Sequence, residues 1–182
     1  MTFEEAPLSG AYLIRRERTT DTRGAFERIW CTRELEARGL NGRLAQASLS
    51  TNVKRATLRG MHFQKAPGEE DKLITCLSGS IYDVIVDIRR HSPTFAQWYG
   101  IHLSEKEATA LYVPKGFAHG FITLEESTTL LYQITEFHDP LLAAGFRWND
   151  PTLAINWPIE PAIISDRDRE LPYFAPESSV VL

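Results

Sequence analysis

The chain has 182 residues with a formal net charge of −4, of which 43% are hydrophobic and 24% charged. This length allows one domain with a full core, and we predict that residues 1–182 form a single domain. The composition is ordinary for a soluble protein, and its weak negative charge gives no global attraction to nucleic acid or to an anionic membrane.

The first forty residues contain short elements of both kinds. Residues 11–14 and 25–30 read as short strands, and residues 21–24 (DTRG) read as the turn before the second one. Residues 32–38 are the clearest helix, because Thr32 can cap its start and Gly39 can end it.

Beyond residue 40 the pattern is mainly that of β-structure. Further strands are predicted at residues 73–77, 81–88, 98–103, 110–113, 120–124 and 129–134. Residues 78–80 form a short glycine-containing turn between the first two of these strands. In the second strand Ile81, Asp83, Ile85 and Asp87 face one way, and Tyr82, Val84, Val86 and Ile88 the other. Many short strands predict a sandwich or barrel, with the tail from residue 149 as ordered coil and short helices on the core.

The sequence pattern does not suggest export or a membrane anchor. No apolar run approaches the ~18 residues of a membrane helix, and the N-terminus lacks the basic and apolar regions of a secretory signal. Cys31 and Cys76 are too few for a disulfide framework and read as small hydrophobic residues. The sequence therefore predicts a cytoplasmic protein with neither membrane nor nucleic-acid partners.

Two histidine-bearing segments carry the functional signal: LRGMHFQ at residues 58–64 and VPKGFAHGF at residues 113–121. Each places an imidazole beside glycine and between apolar residues, as in a strand whose ring faces an interior. A positioned imidazole can move protons near neutral pH. Either histidine alone is more often a hydrogen-bonded core residue, but two such segments, with Arg59 and Lys72 nearby, favour a site.

The spacing Pro114-x-Gly116-x-x-His119 resembles the second motif of cupins, which are small jelly-roll β-barrels. Metal-binding cupins usually supply two histidines and a glutamate from the first motif. Here Phe63 and Gln64 stand where the second histidine should be, and residues 68–71 (GEED) read as a solvated loop. Two histidines alone fit the usual zinc or iron sets poorly, so we predict no catalytic metal.

A longer collinear set of segments resembles the dTDP-4-dehydrorhamnose 3,5-epimerase family of the cupin superfamily. The matching segments are residues 21–24, 58–64, 72–73, 83–89, 92–95, 114–121, 148–151, 155–158 and 164–168. The resemblance implies an all-β, cupin-type jelly-roll barrel with a few short peripheral helices. It also implies an enzyme that uses no metal or other cofactor and inverts carbons beside the ketone of a nucleotide-linked 4-keto-6-deoxyhexose, and a homodimer with exchanged N-terminal strands.

The resemblance also implies three catalytic roles. His62 matches the catalytic base, Asp168 the carboxylate paired with it, and Lys72 the ammonium that stabilises the enolate oxygen. From the local sequence alone, without the family resemblance, Asp168 would be interpreted as a surface residue of a charged run. Lys72 would be interpreted as a solvated lysine at a strand end.

Binding roles follow in the same way. Arg23 and Arg59 match arginines near the diphosphate, which a guanidinium can meet at two points. His119 and Gln46 match residues that line the pocket, and Phe26 an aromatic side chain that stacks on the nucleotide base. A surface ion pair for Arg59 and core packing for Phe26 are the alternatives.

The chain departs from the family pattern at three places. The expected family tyrosine, two residues before a proline, protonates the opposite face of the sugar; here that position is His138, and Tyr132 lies six residues earlier. Three outcomes follow: His138 serves as the acid, another group or water replaces it, or the enzyme inverts only one carbon. Arg28 and Ser48 replace a family glutamate and asparagine near the nucleotide, which leaves CDP- and GDP-linked sugars as alternatives to dTDP.

Three competing functions stay open at this point. A 3,4-ketoisomerase shares the barrel, a metal-dependent cupin oxygenase shares the second motif, and a non-catalytic sugar-nucleotide binding module would explain the departure at His138. The epimerase is the leading prediction.

Overall fold

Two facing β-sheets form the body of the protein, which a computed structural model describes for residues 1–178. The first sheet has the order β1-β2-β10-β7-β12-β5, and the second β13-β6-β11-β8-β9 with β14 paired to β6. A separate two-stranded hairpin joins β3 to β4. All pairings are antiparallel except that of β14 with β6. This arrangement confirms the predicted all-β jelly-roll architecture.

The strands and helices have the following bounds. The first sheet contains β1 (Thr2–Glu5), β2 (Tyr12–Arg15), β5 (Gln46–Asn52), β7 (Lys72–Ser78), β10 (Thr109–Val113) and β12 (Thr128–Ile134). The second contains β6 (Thr57–Gln64), β8 (Ser80–Asp87), β9 (Trp98–Ser104), β11 (Phe117–Thr123), β13 (Ala143–Gly145) and β14 (Ile163–Ile164). The hairpin is β3 (Arg18–Asp21) and β4 (Gly24–Glu27), and the helices are α1 (Thr32–Glu36), α2 (Asp166–Glu170) and a 3-10 turn (Pro176–Ser178).

The core between the sheets follows from the period-2 alternation of the strands. Its apolar side chains from the first sheet include Leu13, Ile74, Leu111 and Leu130, and those from the second include Ile81, Ile85, Leu103 and Phe121. The alternation predicted for β8 is confirmed, since Ile81 and Ile85 face this core while Val84 and Val86 pack on the opposite side.

The outer faces of the sheets are covered by different parts of the chain. The C-terminal segment lays Phe146, Leu153, Ile155 and Phe174 on the second sheet, so the tail is ordered coil on the core, as predicted. Helix α1 contributes the fully buried Leu35 to a smaller cluster on the first sheet. None of the helices within residues 1–178 has the length and apolar character needed to span a bilayer.

Two local predictions need correction. The cap of α1 is not Thr32 but Cys31, whose side chain makes no capping hydrogen bond, because the Thr32 hydroxyl instead donates to the carbonyl of Gly42 at 2.9 Å. The end of this helix was predicted more accurately, since Gly39 has a φ of +73° just beyond it.

The turn at residues 78–80 connects two sheets rather than two paired strands. Strand β7 pairs with β10 and β12, whereas β8 pairs with β9 and β11. Gly79 allows this crossing, because it has a φ of +73° and a Cβ there would lie 2.4 Å from the Thr128 hydroxyl oxygen.

Candidate active site

A cavity of about 300 Å³ replaces the apolar core at one end of the barrel. Strand β7 shows the transition, since Lys72, Ile74 and Cys76 alternate onto its inner face but only Lys72 reaches the cavity. The cavity is lined by Gln46, Ser48, Ser50, Arg59, His62, Gln64, Glu70, Lys72, His119, Phe121, Tyr132, Ile134, His138 and Arg167, among others. Most of the residues singled out from the sequence therefore meet in one place.

His62 and Asp168 form a close pair at this cavity. The distance from His62 Nε2 to Asp168 Oδ1 is 2.7 Å, and the two side chains are 41% and 5% exposed. Asp168 Oδ2 also accepts a hydrogen bond from the backbone N–H of Gly60 at 3.2 Å. The aspartate is buried, contrary to the surface position that its charged neighbours alone suggest.

The C-terminal segment brings Asp168 to this position. Strand β14 pairs in parallel with the start of β6, so that Ile164 lies opposite Leu58. Ser165 then caps α2, and its hydroxyl oxygen accepts a hydrogen bond from the backbone N–H of Asp168 at 3.1 Å. The helix thus begins beside β6 and directs its third residue toward His62.

Opposing effects determine the pKa of Asp168. Burial raises it, but the hydrogen bond and charge of His62, the Gly60 N–H and the Ser165 hydroxyl lower it more, and the net pKa lies below the usual value. The carboxylate is therefore ionised at neutral pH. An ionised partner fixes the tautomer of the imidazole and stabilises its protonated form.

A second histidine–carboxylate pair lies on the neighbouring strand. His119 is directly opposite His62 in the pairing of β11 with β6, and its Nε2 lies 2.6 Å from Asp83 Oδ1. Both side chains are buried, and Asp83 Oδ2 has no hydrogen-bond partner within the described part of the chain. His119 also contacts the ring of Tyr132 edge-on, with 5.8 Å between ring centroids.

Tyr132 lies on the inner face of β12 and lines the cavity. Burial, followed by the charge of Asp83, raises the pKa of the phenol well above its ordinary value, against a smaller lowering effect of Arg59. The phenol is therefore neutral at physiological pH and can donate a proton. Alternation along β12 was the signal for this residue, because Leu130, Tyr132 and Ile134 share one face.

Lys72 lines the cavity and pairs with Glu70, whose Oε1 is 2.5 Å from Lys72 Nζ. The two side chains are only 11% and 9% exposed. Residues 68–71 are thus not the solvated loop that their composition suggests. No local pattern in this acidic run indicates that one of its carboxylates turns inward.

The predicted binding residues divide into two groups. Arg59, Gln46 and His119 line the cavity, as does His138 at its exposed rim. Arg59 Nε donates to the buried Asn52 at 2.8 Å, and Gln46 Oε1 accepts from the backbone N–H of His138 at 3.1 Å.

Arg23 and Phe26 lie apart from this cavity, on the β3–β4 hairpin. Phe26 is 78% exposed, and Arg23 pairs with Asp21 at 2.6 Å. Neither of these two side chains lines the cavity of its own chain.

Gln64 occupies the place where a metal-binding cupin would offer its second histidine. Its amide donates to the carbonyls of Gly68 and Phe137, and its Oε1 accepts from the backbone N–H of Asp139 at 2.7 Å. Gln64 therefore ties together two loops beside the cavity. Across residues 1–178, no three His, Cys, Asp or Glu side chains cluster so that they could hold a metal ion.

Comparisons with known proteins agree with this geometry. The family model described as dTDP-4-dehydrorhamnose 3,5-epimerase matches residues 5–176. The enzyme of that name from Methanothermobacter thermautotrophicus is 38% identical over 170 residues, which is 92% of this chain and 91% of that protein.

Solved structures show the same likeness. The dTDP-4-dehydrorhamnose 3,5-epimerase of Bacillus anthracis, determined with TDP and PPi bound, superposes with a TM-score of 0.92 at 42% identity and covers 95% of this chain and 99% of that one. ChmJ of Streptomyces bikiniensis, a 3′-monoepimerase in complex with dTDP-quinovose, gives a TM-score of 0.85 at 30% identity, covering 92% and 85%. A further structure of ChmJ is a double mutant in which a histidine and a tyrosine 70 positions apart are replaced.

The predicted resemblance is confirmed by the extent of these matches and by the shared barrel. The chain belongs to the dTDP-4-dehydrorhamnose 3,5-epimerase family.

Proposed function

We propose that the protein is an epimerase that inverts C3 and C5, or C3 alone, of a nucleotide-linked 4-keto-6-deoxyhexose. The observation that carries this proposal is the His62–Asp168 pair, which opens into a cavity that also contains Lys72. The names of the relatives favour a dTDP-linked sugar, and the proposed substrate is dTDP-4-dehydro-6-deoxy-D-glucose. The proposed reaction belongs to deoxysugar biosynthesis and needs no redox change.

His62 is the proposed base. A C–H bond beside a ketone is a weak acid, so a base must lie against it to remove the proton. Asp168 accepts the hydrogen bond of Nε2, which leaves Nδ1 with the lone pair that can take the proton. The imidazolium that forms is then stabilised by the ionised carboxylate.

Lys72 is the proposed partner of the enolate oxygen. Loss of the proton places negative charge on the ketone oxygen, and a cation in a partly dry cavity stabilises that charge more strongly than water does. The Lys72 side chain is mostly buried at the cavity wall, so its position changes little during the reaction.

Inversion requires a proton from the opposite face of the sugar, and Tyr132 is better placed to give it than His138. Tyr132 lies inside the barrel as a neutral phenol, whereas His138 is exposed at the rim. His62 and Tyr132 are separated by 70 positions, as are the two residues replaced in the ChmJ double mutant. The acid role predicted for His138 from the sequence stays a prediction.

The diphosphate and the nucleotide base of the substrate are proposed to contact Arg59, Gln46 and His119 of one chain. A second chain would supply Arg23 and Phe26 to the same substrate. The exposed hairpin β3–β4 supports this division, because Phe26 is 78% exposed and its apolar ring is available to a second chain. A homodimer with exchanged N-terminal strands would place it over the neighbouring cavity. The free thiols of Cys31 and Cys76 agree with a cytoplasmic location.

The decisive experiment is incubation with dTDP-4-keto-6-deoxyglucose in D₂O, followed by NMR of the product. Deuterium at C3 and C5 indicates double inversion, and deuterium at C3 alone indicates a monoepimerase. A keto group moved to C3 would identify a 3,4-ketoisomerase instead. Tight binding without any exchange would leave only a binding module, and the proposal would be wrong.

A further inference from the structure

Glu70, the ion-pair partner of Lys72, has no role in the mechanism above. Glu70 Oε1 lies 2.5 Å from Lys72 Nζ, and both residues line the cavity rather than the protein surface. A buried ion pair is weak evidence for stability, because desolvation offsets much of the attraction between its charges. Its position therefore points to a role at the site.

Backbone alternation explains why Glu70 and Lys72 face the same way. Asp71, between them, turns to the other side, where its Oδ2 accepts from the Asn41 amide and its Oδ1 from the backbone N–H of Lys115. The backbone of Asp71 exchanges two further hydrogen bonds with Thr135, at 2.9 and 3.1 Å. This anchor fixes the start of β7 and so directs the residues on either side of Asp71 into the cavity.

The lining of the cavity contains several groups that repel the Lys72 ammonium when they are charged. Arg59 and Arg167 are permanent cations, and His62, His119 and His138 become cations when they are protonated. Positive neighbours push an ammonium away, whereas an adjacent carboxylate attracts it and holds it in place. Glu70 is the carboxylate in contact with the Lys72 ammonium.

We propose that Glu70 is a positioning residue for the epimerase reaction: its carboxylate holds the Lys72 ammonium in place and aims it at the position where the enolate oxygen forms. Glu70 transfers no proton itself and does not contact the reacting carbon. The proposal rests on the proposed function, since it assigns Lys72 to the enolate oxygen.

Glu70→Gln tests this role, because it keeps the shape of the side chain and removes its charge. We expect kcat to fall about ten- to hundredfold, since the ammonium is less well held, while KM changes little. A merely structural role would change the thermal midpoint without this separation of kcat from KM.

Glu69→Gln is the matched control. Glu69 is the neighbouring glutamate, but it lines a groove on the other side of the loop, together with Asp71. This variant should keep the kcat and the KM of the wild type. An unchanged kcat in Glu70→Gln would overturn the proposal, whereas a wild type without turnover would overturn the proposed function instead.

A second pair of variants keeps the test conclusive if Glu70→Gln folds poorly. Glu70→Asp retains the charge with a side chain one methylene shorter, so it should restore part of the kcat that Glu70→Gln loses. Adding Glu70→Gln to Lys72→Met should cause no further loss of turnover, because Glu70 acts through the amine. A further loss of tenfold or more in the double variant would contradict the proposal.

Discussion

The two histidine–carboxylate pairs lie side by side on β6 and β11, yet they differ in solvent access and in the origin of the carboxylate. The ring of His62 is 41% exposed and that of His119 only 6%. Asp168 comes from a helix 106 positions along the chain, whereas Asp83 comes from the adjacent strand β8. An accessible ring beside an ionised carboxylate is suited to proton transfer, and a buried ring to a fixed hydrogen bond.

The largest expected effect is a difference in hydrogen exchange between variants of the two histidines. His62→Asn removes the proposed base, so exchange of substrate hydrogen with D₂O should fall about 10²–10⁴-fold or become undetectable. His119→Asn should retain measurable exchange and mainly weaken substrate binding, which NMR of the product and titration with the nucleotide sugar can distinguish. Equal losses of exchange in the two variants would show that the exposed and buried rings do the same work.

The proton donor can be located by a second pair of variants. Tyr132→Phe removes the phenol inside the barrel and should lower inversion about a hundredfold or more. In this variant His62 should still remove the proton, so exchange at C3 should persist while net epimerisation is lost. His138→Phe should change turnover only slightly, and the reverse result would assign the acid role to His138.

Replacing the two carboxylates should lower kcat unequally, with the larger loss at the His62 pair, as for the two histidines. Both losses should be smaller than the loss in His62→Asn. Asp168→Asn is expected to lower kcat about a hundredfold, because an amide does not stabilise the imidazolium. Asp83→Asn should cost less than about tenfold in kcat, because His119 is not proposed to change charge in the reaction. Steady-state kinetics at neutral pH measure both, and a larger loss in Asp83→Asn would reverse the roles of the two pairs.

The smallest effect concerns stability in acid. Because the pKa of Asp168 is lowered in the folded protein, its ionised form contributes stability above about pH 3.9, the value expected for the unfolded chain. This contribution is lost as the pH falls through the folded pKa. Urea unfolding at a series of pH values should therefore show that the difference between the wild type and Asp168→Asn shrinks on acidification; a difference that grows would have the wrong sign.

The strand pattern made much of this site predictable. His62 and His119 lie between apolar residues in segments of strand character, and antiparallel pairing places them opposite one another. The alternation of β8 likewise placed Asp83 on the inner face. Local periodicity determines which way such side chains point, so no knowledge of the remaining chain is required.

Other parts of the site depend on contacts that no local pattern encodes. Asp168 lies in a charged run that ordinarily marks a surface, and only the parallel pairing of β14 and the cap at Ser165 bury it. Glu70 is turned inward because Asp71 is anchored by residues far along the chain. The Thr32 cap was wrong for a similar reason, since its hydroxyl has a non-local partner in Gly42.

Because β14 positions Asp168, the His62–Asp168 pair can form only late in the synthesis of the chain. A nascent chain that has emerged as far as β13 already contains every described strand of the two sheets except β14, together with His62, but not the acidic partner of that ring. Translation must continue past residue 168 before the pair can assemble. The proton transfer proposed for His62 therefore has to wait for synthesis of the segment that follows β13.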